Sequence, residues 1–187
     1  MSSAELLRTI VARLEAADVA FMLTGSLAAA VHGAGRATMD IDLVIDATAE
    51  QLRSLVRSLS VPDYYVSEEA ALEALAAEGM FNVVAVATGW KADLIIRKSR
   101  KFSITEFRRR QFLDFDGIAL WVATREDVIL AKLEWAKRGG SSRQLEDVAN
   151  LLRIGAAELD HAYLDHWLDE LQLRSEWRVA SQMRQAE

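Results

Sequence analysis

The residues best placed to do chemistry are Asp40 and Asp42, in the run MDIDLVI, and the Gly25-Ser26 step upstream of them in LTGSLAAAV. In an extended segment Asp40, Asp42 and Val44 point to one side and Ile41, Leu43 and Ile45 to the other. One face is then core, and the other presents two carboxylates roughly 6 to 7 Å apart at the Cα. Carboxylates in an apolar strand resist burial unless a cation compensates them. A hard divalent ion shared with substrate phosphates, Mg2+ or Mn2+, suits an all-oxygen pair of this kind. Gly25 lets a polyphosphate approach the backbone at a strand end, while Ser26, read as the N-cap of the next helix, offers a hydroxyl beside free N–H groups. Each feature alone has an ordinary explanation, a solvated edge strand for the acids and a plain turn and cap for Gly-Ser. In order, with thirteen residues between Ser26 and Asp40, they describe a nucleoside triphosphate, such as ATP, and its metal.

The elements that must position these residues follow from periodicity. Leu6, Leu7, Ile10, Val11 and Leu14 mark an amphipathic helix ending near Ala17, and VAFML a short strand. A helix runs from Ser26 to about His32, stopped by Gly33 and Gly35, and MDIDLVI forms the second strand. Helices are expected over Thr48 to Leu59 and Glu68 to Glu78, then a hairpin from MFNVVAVAT and WKADLIIRK around Gly89. ALWVAT reads as a strand entering a helix capped by Thr124 with Asp127 and stopped at Gly139-Gly140. From Ser141 onward the chain is helical, with breaks near Gly155 and Leu173. The expected fold class is α+β: a mixed sheet flanked by helices over residues 1–122, followed by a helical region, 123–187, packed on it.

Composition excludes several classes. Half of the 187 residues are apolar, enough for a substantial core, and there is no cysteine, so no disulfide and no thiolate metal site. The N-terminal stretch lacks a signal peptide's basic and apolar regions, and no apolar run is long enough to span a membrane. A cytoplasmic protein is expected. His161 and His166 are five apart, which does not align them as zinc ligands on a helix. Asp40, Asp42 and Asp46 fall short of a calcium loop because Val44 and Ile45 occupy ligand and glycine positions. His32 reads as packing or capping, and Trp121, Trp135, Trp167 and Trp177 as core or interface. A net charge of −6 argues against a general polyanion binder. Locally, however, Arg97 to Arg110 holds seven basic residues opposed only by Glu106. That run is either a solvated face or a track for phosphates.

With these residues in view, the sequence resembles the DNA polymerase β-like nucleotidyltransferases: a hydrophobic strand, Gly-Ser, a spacer of roughly nine to thirteen residues, then Asp-hydrophobic-Asp. HGAGRATMDIDLVID narrows the likeness to small bacterial AbiEii-like proteins, toxins of abortive-infection toxin–antitoxin systems. EDVILAKLEWAKRGGSSRQLEDVANLL looks like the helical part of the same family. The resemblance implies a third carboxylate, Asp93, on a neighbouring strand. Asp40 and Asp42 would bridge two metal ions, and Asp93 would hold one of them or act as base. It further implies phosphate contacts from Arg36, Thr38 and Lys132, with Asp147 either pairing a base or ordering Lys132; from the residues alone Asp147 reads as part of a solvated helix face. The activity implied is transfer of an NMP from an NTP to an acceptor hydroxyl, with an RNA or tRNA end favoured along Arg97–Arg110 and an antitoxin as a protein partner. A small-molecule or protein acceptor, or a catalytically lapsed nucleotide-binding module, is the alternative. The apolar face of Leu164, Leu168 and Leu171 suits either a partner or the chain's own core.

Overall fold

A computed structural model describes residues 2–34, 40–59, 62–155 and 158–185 of the chain. The first helix, α1 (Ser3–Ala16), is closed by a capping box between Ser2 and Glu5 and buries Leu6, Leu7, Ile10, Val11 and Leu14, the face expected from their spacing. Strand β1 (Ala20–Leu23) leads into α2 (Gly25–Val31), then β2 (Asp40–Asp46), α3 (Ala49–Ser58), β3 (Tyr64–Tyr65) and α4 (Glu68–Ala77). The hairpin β4 (Met80–Ala85) and β5 (Lys91–Ile96) is followed by α5 (Lys101–Arg109), then β6 (Gln111–Phe115) and β7 (Ile118–Val122). Four helices complete the chain: α6 (Arg125–Gly139), α7 (Ser142–Gly155), α8 (His161–Glu170) and α9 (Arg174–Gln185).

The described strands form one mixed sheet in the order β3-β4-β5-β2-β1-β7-β6. The central strand, β2, runs antiparallel to β1 and parallel to β5. Its Ile41, Leu43 and Ile45 are completely buried, and α1 and α4 pack against β1, β4 and β5, with α3 against α1 and α4. The other face carries Asp40, Asp42 and Val44 and faces α6, which lines the cavity above them.

Three elements were not expected from sequence: β3, α5 and β6. Strand β3 has two residues, too few for a period. Helix α5 lies inside the basic run, where charge masks the buried Phe102, Glu106 and Phe107. The β6–β7 hairpin turns on Asp116 (φ 52°) and Gly117 (φ 71°), an Asp-Gly pair with both central residues left-handed, as a two-residue type I′ loop requires. Ser26 is corrected as well. The N-cap of α2 is Thr24, without a side-chain cap bond, and Ser26 sits buried in the first turn.

The helices after β7 share the sheet's core: Leu164 and Leu168 are buried in the same apolar cluster as Leu6 and Leu43, so that face packs on its own chain. A polar knot fixes the arrangement. Asp127, fully buried, accepts a hydrogen bond from the Thr124 hydroxyl (2.6 Å) and another from the Tyr163 hydroxyl (2.6 Å), while Arg109 lies 3.7 Å over the Tyr163 ring. Burial pushes the Asp127 pKa up, and the bonds from Thr124 and Tyr163 oppose that shift. Tyr163→Phe removes one donor from a buried carboxylate without opening a cavity, and should cost about 1–3 kcal/mol. Urea unfolding of the variant, with circular dichroism unchanged before the transition, checks this.

Candidate active site

The cluster is built by register. Across the parallel β2–β5 pair, Asp42 is the Cα partner of Asp93 and Asp40 of Lys91, so all four side chains lie on the same face at the N-terminal ends of the two strands. Across the hairpin, Asn82 of β4 is the partner of Asp93 and donates its side-chain N–H to Asp93 Oδ1. Lys91 Nζ lies 3.2 Å from Asp93 Oδ2 and 3.5 Å from Asp40 Oδ1. Asp93, the carboxylate implied by the family resemblance, is buried at 8% exposure, whereas the Asp40 side chain is 53% exposed.

Gly25 closes the cluster from the side of β1. Its φ is +66°, a left-handed conformation that favours glycine, and an added Cβ would overlap the Asp42 carboxylate. Thr24 N–H donates to the Asp42 carbonyl (2.9 Å), which holds this turn against β2. Because α2 is only seven residues long, its dipole adds little, and the positive wall of the site comes from elsewhere.

That wall is α6 and α7. Lys132, buried at 3% exposure, donates to Asp147 Oδ2 at 2.7 Å and to Gln144 Oε1 at 3.2 Å. Asp147 therefore orders Lys132 within the cavity lining. Arg143, exposed at the start of α7, lines the same cavity and has no ion-pair partner among the described residues. The cavity measures about 530 Å3, with Gly25, Ser26, Asp40, Asp42 and Asp93 on one side and Lys132, Arg143 and Gln144 on the other. Trp135, one turn beyond Lys132, is 60% exposed and lines both this cavity and a smaller one of about 120 Å3 that continues along β2 and β5 past Val44 and Ile95. Of the tryptophans expected in core or interface, Trp167 is buried, but Trp135 is corrected to a cavity wall.

Electrostatics set the state of the cluster. Burial, then the charges of Asp93 and Asp40, push the Asp42 pKa up to about 6, and Lys132 and Lys91 offset this only in part. Burial opposes the charge on Lys91, but its bond to Asp93 and the charges of Asp93 and Asp40 hold its pKa above the ordinary lysine value. The donor set suits a hard cation: three carboxylates with residual negative charge and no nitrogen or sulfur ligand among them. Among the described residues no three acidic or histidine side chains already converge as a preformed metal cage, so a bound ion would need phosphate or water oxygens to complete its shell.

Arg36 and Thr38 lie outside the described residues. Lys91, Asn82, Arg143 and Trp135 escaped the sequence reading. Lys91 and Asp93 share a strand face by alternation, and Asn82 follows from the hairpin register. Arg143 and Trp135 have no such signal.

The basic run is largely spent inside the molecule. Arg97 pairs with Asp46 (3.0 Å), Arg100 with Glu134 (2.6 Å), and Arg109 with Asp127 (3.5 Å), while Arg110 stacks on Phe107 and Trp121. Only Lys101 and Arg108 of the seven are exposed. His32 caps α2 and bonds the Ala123 carbonyl through Nε2 (2.8 Å), and burial lowers its pKa. No helix among the described residues is long and apolar enough to cross a membrane.

Solved structures share this architecture. The antibiotic-resistance factor ANT(2'')-Ia superposes over 100% of both chains with a TM-score of 0.60 at 12% identity. The fold is that of the nucleotidyltransferases. The same nucleotidyltransferase fold appears in the lincosamide antibiotic adenylyltransferase LnuA, solved with lincomycin bound (TM-score 0.56, 13% identity, 82% of this chain and 98% of that one). It appears again in an antigenic nucleotidyltransferase-like protein from Paracoccidioides brasiliensis (TM-score 0.55, 17% identity, 96% of this chain and 93% of that one). A second ANT(2'')-Ia structure holds adenylyl-2''-tobramycin. The sequence matches no protein-family model and no curated protein.

The raised Asp42 pKa makes a linkage prediction. Between the ordinary value of 3.8 and about 6 the folded state binds more protons than the unfolded one, so Asp42 lowers stability as pH rises through that window. In chelator-treated protein, Asp42→Asn should be more stable than wild type at pH 7, by up to about 3 kcal/mol, and the difference should shrink towards pH 4. Urea unfolding midpoints across this range provide the check.

Proposed function

We propose that the protein transfers an NMP from an NTP to a hydroxyl of a small-molecule acceptor. The observation that carries this reading is the division of one cavity into a carboxylate side, Asp40, Asp42 and Asp93, and a cationic side, Lys132 and Arg143, with a smaller apolar-floored extension beyond Trp135. The catalytic unit is residues 1–122, with 123–187 supplying the cationic wall.

Gly25 admits the triphosphate against the backbone, and Ser26 offers its hydroxyl in the first turn of α2. Lys132, held by Asp147, and Arg143 neutralise the β- and γ-phosphates as pyrophosphate leaves. Mg2+ or Mn2+ held by Asp40, Asp42 and Asp93 would supply charge neutralisation at the phosphates and acidify the attacking hydroxyl. As the acceptor oxygen bonds to the α-phosphorus, the bond to pyrophosphate breaks and the acceptor proton passes to a carboxylate of the cluster. Trp135 offers its indole face to whatever lies across the two cavities. Arg36 and Thr38 remain candidates for phosphate contact on the family resemblance alone.

A small acceptor is favoured because four arginines of the basic run are engaged within the fold. The antibiotic-modifying neighbours support the same class. The RNA end and the antitoxin partner implied by the AbiEii resemblance find less support, since the Leu164 and Leu168 face is covered by the chain itself.

The test is incubation with each radiolabelled NTP and Mg2+, in parallel with total RNA and with panels of aminoglycosides, lincosamides and cellular small-molecule extract. Label should move to a small molecule, fall by at least about a hundredfold in Asp42→Asn, and in Trp135→Ala show a KM for the acceptor raised about tenfold. A labelled RNA band would reassign the acceptor. Mg2+-dependent NTP binding without any transfer would indicate a lapsed module.

A further inference from the structure

The geometry points to Lys91 as a built-in cation that takes one of the two positive positions of the carboxylate cluster, so that the site binds one divalent ion and not two. This rests on the assignment of Asp40, Asp42 and Asp93 as metal ligands. Lys91 is the register partner of Asp40, and its ammonium lies between Asp40 Oδ1 (3.5 Å) and Asp93 Oδ2 (3.2 Å), which sets a fixed positive charge between two of the three carboxylates. The other oxygen of Asp93 accepts from Asn82, so each of its oxygens meets one of this chain's own donors and keeps a lone pair for a metal ion. Asp42 is the contrast. Its carboxylate packs against Gly25 and has neither an ion pair nor a side-chain hydrogen bond among the described residues, so of the three ligands it is the one no cation of this chain pairs with.

Two cations a few ångströms apart repel strongly at the low effective dielectric of a half-buried site. A tethered ammonium also differs from a metal ion in chemistry: it supplies charge and hydrogen bonds but no open coordination position. Lys91 and Asn82 would hold Asp93 in a fixed orientation towards the single divalent ion that the three carboxylates would bind.

The test counts ions without measuring activity. Chelator-stripped, nucleotide-free protein is titrated with Mn2+, and free Mn2+ is read by electron paramagnetic resonance. Wild type and Lys91→Arg should bind one ion per chain and Lys91→Gln two. Lys91→Met, which keeps the aliphatic stem, replaces Gln if that variant disturbs the strand. Two ions in wild type, or one in both wild type and Lys91→Gln, would overturn the inference while leaving the metal site standing. Failure of every variant to bind Mn2+ would remove the metal assignment and this inference with it.

Discussion

Three carboxylates on one face of a sheet repel one another, and the organisation of the cavity follows from how that repulsion is contained. The parallel β2–β5 register brings Asp42 beside Asp93, and the hairpin brings Asn82 and Lys91 to the same place. Lys132 sits on the opposite wall, fixed by Asp147. Burial first, and then the incompletely offset charges of Asp93 and Asp40, keep the Asp42 pKa raised.

The arginines after β5 serve a different purpose from the one their density in sequence suggests. Charge counted along a chain says nothing about which acids lie opposite in space. Arg100 joins α5 to α6 through Glu134, and Arg109 joins α5 to α6 and α8 through Asp127 and the Tyr163 ring. These contacts hold the C-terminal helices over the sheet, and the α6 wall with Lys132 and Trp135 stays in place because of them. Glu106, buried in the same region beside Asp127, has its pKa pushed up to about 8 by burial first and by that neighbour second. The region therefore carries less negative charge than its acid count implies.

Local rules made much of this legible in advance. Alternation in DIDLVID placed Ile41, Leu43 and Ile45 in the core and the aspartates opposite, and Gly-Gly after Arg138 ended α6 where Gly140 adopts a left-handed φ. Periodicity failed where charge or brevity masks it, as in α5 and β3. It also could not assign Trp135, whose exposure is decided by the cavity it borders. The third carboxylate could be named only through family resemblance, because a single Asp at the start of a strand has no pattern of its own. Its partners Lys91 and Asn82 depended on a register that the hairpin loop at Gly89 sets.

The contact between Gly25 and Asp42 ties the choice of residue at one position to a side chain seventeen residues further along the chain. Because the space of a Cβ at position 25 is already filled by the carboxylate at 42, and the backbone there is left-handed, no side chain fits at position 25 while Asp42 stays where it is. A side chain at position 25 would therefore meet the Asp42 carboxylate, not the apolar face of β2, so this glycine guards the placement of an acid and not the packing of the core.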